Sequence, residues 1–519
     1  MQMSVGRASL FMIGTLIASR LLGWLRLSVI GAKFGESPEL DAFWAAFLIP
    51  DTLFNLLVAG ALASAFIPVF TGYLAKERED EAWRVASSVM NAIVLLLIAF
   101  SAVMWVLAPT IVPILASFRD PGQVQTAIHL TRIMLLSPIF MGLSALFTGI
   151  LNSYRQFLTG ATAPLIYNFV IVLFAFFASP FLGIEALAWG TVVGALMMWL
   201  VQVPELTFRR TRYRLALDLS HPGVREIARL TVPRTLALGA VNLIFIVDTY
   251  LAAKMPEGSL TARVYAFQLM QLPLGVFSIA ISAAAFPTLA RYAAQGLQAR
   301  MRDLLQTAIR WILFLTLPTI VMMIVLRRPI VNLLFQYGKF GPEAREATQE
   351  AFLFYSLGLA GHALIQILAR AYYASKDTRT PLALTLVSIG TNIVLSVILA
   401  PLYGINGLAL ANSIATLAEA MLFFVLLAPR ARLRLVGLGI TTLKQVCASL
   451  LMGVTTFSFI NATNLPFSLV TDPPKLTLLL QTLLAAGVGG AAYVAAAYVL
   501  GIGELHEILG AVRARLGRR

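Results

Sequence analysis

Apolar runs of about twenty residues recur from residue 8 to residue 501, and a helix of roughly that length is what crosses the hydrocarbon core of a bilayer. Short stretches rich in Arg, Gly and Pro separate the runs, and no long polar segment is left over for a water-soluble domain. Inside lipid every backbone N–H and C=O must be satisfied within the segment, so the runs are read as helices. Composition agrees, with 59% of the 519 residues hydrophobic and 12% charged, where soluble domains carry about 25% charged residues. The expected fold class is all-α, a polytopic membrane protein. Fourteen helices are predicted, near 8–30, 42–73, 85–115, 127–151, 160–179, 185–207, 231–252, 264–290, 311–335, 349–373, 381–400, 405–428, 445–462 and 477–501.

Basic residues are retained on the cytoplasmic side of such proteins. Most of the 39 Lys and Arg fall on one side if the N-terminus is cytoplasmic, including Arg209, Arg210, Arg212 and Arg214, then Arg430, Arg432 and Arg434, and the tail from Arg513 to Arg519. Both termini are therefore expected inside. This asymmetry accounts for most of the net charge of +15, so the basic balance calls for no nucleic-acid partner. Arg20 and Arg26 interrupt the first apolar stretch, which reads as a permanent helix and not as a cleaved leader. The single cysteine, Cys447, excludes an internal disulfide and a multi-thiolate metal site.

A repeat lies within the chain. "PFLGIEALAWG" (180–190) resembles "PLYGINGLALA" (401–411), and "AFIPVFTGYLA" (65–75) resembles "AAFPTLARYAA" (284–294), with Pro68 matching Pro287 and Tyr73 matching Tyr292; Pro164 matches Pro381. Offsets near 219 at three places indicate a duplicated unit of six spans. An even number of spans keeps both copies the same way up, and transporters of that build place substrate at the interface of the halves. The expected organisation is an N-terminal lobe over 1–218 (helices one to six), a C-terminal lobe over 219–430 (helices seven to twelve), and helices thirteen and fourteen with a basic cytoplasmic tail over 431–519.

The residues able to carry chemistry are few. Arginine near a bilayer centre costs about 2.5 to 3.5 kcal/mol on insertion scales, yet the first helix holds both Arg20 and Arg26. They stand about 9 Å apart along the axis and roughly 240° apart around it, a spacing that flanks a cavity more readily than it stacks on one face. Guanidinium forks match phosphate oxygens, so an anion clamp is one reading; the other is that Arg26 snorkels and Arg20 pairs with a buried acid. Gly23 between them permits close approach to the backbone. Asp41 opens the second helix, either as a helix-start residue or as a partner for one of the arginines. Helix seven carries Arg234, Asn242 and Asp248, with Lys254 in reach of Asp248. His362, Gln366 and Arg370 form a polar stripe on helix ten, lining a pathway or linking helices. His129, Glu185 and Glu419 are weaker candidates. The chain shows no phosphate-binding glycine loop, no paired His/Glu metal helix and no serine elbow. An ATP-driven pump and an enzyme are therefore not expected, no cofactor or metal is called for, and transport would draw on the membrane potential, a monovalent ion or the substrate gradient.

"SRLLGWLRLSVIGAKFG", "DAFWAAFLIP", "AFIPVF", "LFQYGKF" (334–340) and "YYASKDTRTP" (372–381) resemble the MviN/MurJ lipid II flippases of the multidrug/oligosaccharidyl-lipid/polysaccharide exporter superfamily, along nearly the whole chain. The resemblance implies fourteen helices in the bacterial cytoplasmic membrane and translocation of lipid II, an undecaprenyl-pyrophosphate-linked disaccharide-pentapeptide, by alternating access between two lobes. It implies that Arg20 and Arg26 face a central cavity and bind pyrophosphate, that Asp41 matches the family's acid at the start of helix two, and that helices thirteen and fourteen guide the polyprenyl tail. Membrane lipids and the cell-wall synthesis machinery are the other partners it suggests. Two family arginines fall at Phe54 and at Gln268, which takes that place among the substrate-binding positions, with Arg234 as a substitute cation. The departures leave two alternatives open, a flippase for another polyprenyl-linked saccharide and a cation-coupled multidrug exporter of the same superfamily.

Overall fold

The computed structural model describes all residues except 1–4, 60–64, 208–212, 463–473 and 517–519, together with the side chains of a few others. Among the described residues the chain is helical throughout and has no strand. Eleven helices are long and apolar enough to cross a membrane. They cover eleven of the predicted spans, from Glu79–Leu115 to Lys475–Val499; most ends lie within a few residues of those expected, but the helix expected over 311–335 is Gln298–Val325 and the one expected over 445–462 is Leu435–Ala462. The remaining three predicted spans also contain helix, Val5–Phe34, Pro38–Phe54 with Ile67–Ala75, and Pro222–Ala253. The last of these includes an apolar stretch, Gly239–Ala253, and carries Arg225, Glu226 and Arg229 in its first turns. A total of fourteen spans is not established.

Several predicted spans are interrupted, among them 42–73 and 311–335. In place of a single helix over 42–73, Pro38–Phe54 runs into a π-helical turn, Asn55–Ala59, before Ile67–Ala75 begins. In place of 311–335, Gln298–Val325 ends at Leu326 and a new helix, Arg327–Phe335, starts. Pro329 in the first turn of the new helix cannot donate into a continuous ladder. The Arg327 Nη1 group instead donates to the Ile324 carbonyl at 2.8 Å, satisfying an end carbonyl of the old one.

Several helix starts follow from local chemistry. Ser37 accepts from Leu40 N at 3.2 Å with Pro38 just inside the helix, and Asp120 accepts from Gly122 N and Gln123 N ahead of Pro121. These pairings satisfy amides that the helix itself cannot.

The chain forms two compact units, Met1–Thr261 with Tyr337–Gly341, and Ala262–Gln336 with Pro342–Arg519. In the first, Val5–Phe34 packs on Leu158–Leu173 and Pro38–Phe54 on Pro121–Met134, around a core that includes Ile30, Leu40, Phe43, Leu130 and Leu187. A second core, with Phe66, Phe70, Trp83, Leu97 and Val224, holds Pro222–Ala253 to the same unit. In the second, Leu435–Ala462 and Lys475–Val499 pack together, the former also against Gln298–Val325. There the Tyr493 hydroxyl donates to the Phe314 carbonyl at 2.7 Å.

The repeat seen in the letters recurs in the backbone. Gly183 and Gly404, 221 positions apart, adopt φ 55°, ψ −135° and φ 57°, ψ −137°. Arg155 and Lys376 both sit at φ 61°, and Glu77 and Gly296, 219 apart, at φ 57° and 68°. The π-helical turns Asn55–Ala59 and Leu274–Ser278 coincide at the same offset of 219. Positive φ and π-turns are uncommon, so their coincidence at matched positions is the mark of a duplicated fold.

Candidate substrate-binding site

The first helix carries Arg20 exposed and Arg26 half-buried. Among the described residues the Arg26 Nε is buried without a hydrogen-bond partner, and no ion pair within 4 Å engages either guanidinium. A Cβ at Gly23, between them, would meet nothing within 4 Å, so the space beside this stretch is open. The carboxylate that feels Arg26 electrostatically is Asp51. Asp51 accepts from Asn55 Nδ2 at 2.9 Å, one turn along the second helix, and the buried Tyr167 stands in the field of both charges. Sequence reasoning missed Asp51 and Asn55. The signal was an acid and an amide at i and i+4 in an apolar run, next to Pro50.

Asp41 is buried at 3% exposure and does not partner an arginine. It accepts from Gly258 N at 2.8 Å, Thr261 N at 2.8 Å and Thr261 Oγ1 at 2.6 Å, and so caps the helix that begins at Ser259. A carboxylate on the free amides of a helix start is a charge-assisted arrangement. It ties the start of its own helix to Gly258 and Thr261, more than two hundred positions along the chain.

The other predicted positions are dispersed. Arg234 lies in Pro222–Ala253 with its side chain outside the described residues. Asn242 and Asp248 are buried in the same helix, each with interactions of its own. Lys254, expected near Asp248, instead lies over the ring of Tyr250 at 4.0 Å. Gln268 is exposed.

In the second unit the stripe on helix ten divides. His362 Nε2 lies 3.1 Å from Asn412 Oδ1 and 3.4 Å from Thr416 Oγ1, tying Leu359–Ala374 to Ile405–Arg430. Gln366 is half-buried, and Arg370 has a buried Nη1 without a partner. Glu419 accepts from Thr385 Oγ1 at 2.8 Å. His129 and Glu185, separate in sequence, meet at 3.2 Å in the first unit. Among the described residues no group of three His, Cys, Asp or Glu side chains is placed to hold a metal ion.

Many membrane helices, a duplicated backbone and polar groups set into apolar helices describe a polytopic membrane transporter. The fold agrees: a solved structure described as the inward-facing conformation of a multidrug resistance MATE family transporter of the MOP superfamily superposes with TM-score 0.66 at 16% identity, over 82% of this chain and 99% of that one. The family model of the lipid II flippase MurJ matches residues 30–477, and the chain belongs to that family. A probable lipid II flippase MurJ of Rhizobium meliloti is 29% identical, with 96% of this chain and 95% of the relative covered. The lipid II flippase MurJ of Burkholderia cenocepacia is 30% identical, with 82% and 84% covered. The solved lipid II flippase MurJ in an inward closed conformation superposes with TM-score 0.78 at 24% identity, over 94% of this chain and 98% of that one. The chain is a multi-pass bacterial inner-membrane protein and, like its family, a transporter.

Proposed function

We propose that this chain is a flippase that carries lipid II across the cytoplasmic membrane by alternating access between two repeat lobes, with both termini in the cytoplasm. Arg26 carries the reading. A guanidinium half-buried in a membrane helix, with an unpartnered buried Nε and open space at the neighbouring Gly23, is held at a cost that an incoming anion offsets. A pyrophosphate supplies oxygens for both Arg20 and Arg26. Asp51, the carboxylate whose field reaches Arg26, is a weak internal partner that a doubly charged ligand outcompetes. Asp41 holds the scaffold and leaves the arginines free. Membrane potential or a monovalent-ion gradient drives the cycle, and the cell-wall synthesis machinery takes up the product.

The test is to deplete the protein in cells without a redundant flippase and follow labelled lipid II on each leaflet. Lipid II is expected to accumulate on the inner leaflet, and normal arrival outside would overturn the assignment. Arg20→Ala and Arg26→Ala are expected to lower transport at least tenfold with folded protein retained; full activity in both would remove the clamp.

A further inference from the structure

A cleft of about 800 Å³ lies within the first unit, and its lining includes neither Arg20 nor Arg26. Its charged and polar walls include Lys33, Glu39, Thr126, His129, Glu185 and Lys339. Lys33 and Lys339 are distant in sequence but are brought together by backbone. Lys339 N donates to the Ala32 carbonyl at 2.9 Å. Gly338, at φ 55°, sits so close above Ala32 that a Cβ would come within 2.1 Å of that carbonyl oxygen, and Gly35, at φ 68°, lies against the Lys339 carbonyl in the same way at 2.6 Å. Only glycine allows such approaches.

This fixed wall sets two ammonium groups beside one cleft without giving either a carboxylate. Lys33 lies over the Phe176 ring at 4.6 Å, and among the described residues the exposed Lys339 side chain has no ion-pair or hydrogen-bond partner. The exposed Glu39 carboxylate is likewise unengaged, whereas Glu185 is occupied by His129 at 3.2 Å. Among the described residues the site therefore offers two ammonium groups without a carboxylate partner and one unengaged carboxylate. Like charges held on one wall favour an anionic ligand, and the unengaged Glu39 beside them favours a ligand that also carries an amine. A bare polyphosphate meets repulsion from Glu39; a short peptide with carboxylates and a diamino-acid side chain meets a partner for each charge. The volume is in the range of small-ligand pockets, roughly 300 to 1,000 Å³.

We propose that this cleft binds the peptide stem of the lipid II headgroup, its carboxylates on Lys33 and Lys339 and its amine toward Glu39. The substrate assignment rests on the flippase reading above; the chemical class, a short zwitterionic peptide, rests on the cleft alone.

The full-length protein in nanodiscs is titrated calorimetrically with free stem pentapeptide, which lacks both lipid and pyrophosphate. Saturable binding is expected, weakened at least tenfold in the Lys33→Gln/Lys339→Gln double variant. The unmodified protein should lose affinity to a similar degree for the pentapeptide amidated at its carboxyl groups, an arm that needs no variant to fold. No binding of the pentapeptide at millimolar concentration, or affinities within twofold across these comparisons, overturns the proposal. Undecaprenyl pyrophosphate is titrated in parallel. If it binds and the pentapeptide does not, the cleft assignment falls and the flippase reading stands. If the pentapeptide binds through the two lysines and neither undecaprenyl pyrophosphate nor lipid II binds at all, the peptide site stands and lipid II as its source is overturned.

Discussion

Asp41 and Asp377 show how single carboxylates hold this molecule together, and each makes a prediction. Asp41 takes three hydrogen bonds from Gly258 and Thr261 in a buried setting. Its removal leaves buried donors without an acceptor, at about 1 to 3 kcal/mol for such a group. Asp41→Ala is therefore expected to lower the thermal unfolding midpoint in detergent clearly, and Asp41→Asn, which keeps an acceptor oxygen, by less. Asp377 lies in the turn before Arg379–Tyr403. The Thr380 amide and hydroxyl donate to it at 3.0 and 2.7 Å, with Arg379 N at 3.1 Å and Arg430 Nη1 at 3.2 Å. The Thr380 donors above all, then Arg379 N and the Arg430 charge, hold its carboxyl below the usual range. A carboxylate with a depressed native pKa stabilises fully above its unfolded value, and that contribution is lost as pH falls through the native one. Asp377→Asn is thus expected to cost about 1 kcal/mol at neutral pH, and its unfolding midpoint should begin to approach that of the unmodified protein only as pH falls below about 4, meeting it below the depressed native value. Convergence at neutral pH instead would show that the turn does not depend on the charge. Asp41 could be placed at a helix start from the letters, because such starts attract acids. Its acceptor role toward Gly258 and Thr261 could not, since no local pattern links residues more than two hundred positions apart.

Elements were legible where periodicity and length decide, and illegible where backbone irregularity does. The apolar runs located helices such as Arg379–Tyr403 and Ile405–Arg430 to within a few residues, because a bilayer leaves only helix as an answer. The π-turns at Asn55–Ala59 and Leu274–Ser278 leave the apolar runs unbroken, so hydropathy does not announce them, whereas the break at Leu326 is followed by Arg327, Arg328 and Pro329, a signal that the expected span over 311–335 ran through. Gly183 and Gly404 lie between these extremes. Their flanking motifs match in the sequence, and the structure explains why glycine stands in both: φ near +55° with ψ near −136° is a region that side chains avoid. A Cβ would touch nothing within 4 Å at either position, so alanine there brings backbone strain without a clash. Gly183→Ala and Gly404→Ala are expected to destabilise by similar amounts, about 1 to 3 kcal/mol each, read as equal shifts in the unfolding midpoint. A large difference between them would mean that the two copies no longer rely on the same turn.

For the whole molecule, the excess of arginine on one set of connections predicts a topology that reporters can check. Fluorescent fusions, which mature only in the cytoplasm, are expected to glow at both the N-terminus and the C-terminus, and a dark fusion at either end would reverse that half of the assignment. The duplication invites a picture of two self-sufficient halves, and the five residues Tyr337–Gly341 contradict it. They lie in the second half of the gene and are counted structurally with the first unit, where Lys339 completes the hydrogen bonding of Ala32. A polypeptide stopped at Thr261 would leave the end of the first helix uncovered at Gly35, and its carbonyl at residue 32 would lose the amide that now meets it. Whatever independence the ancestral copies had, this borrowed pentapeptide has made the earlier one depend on translation of the later.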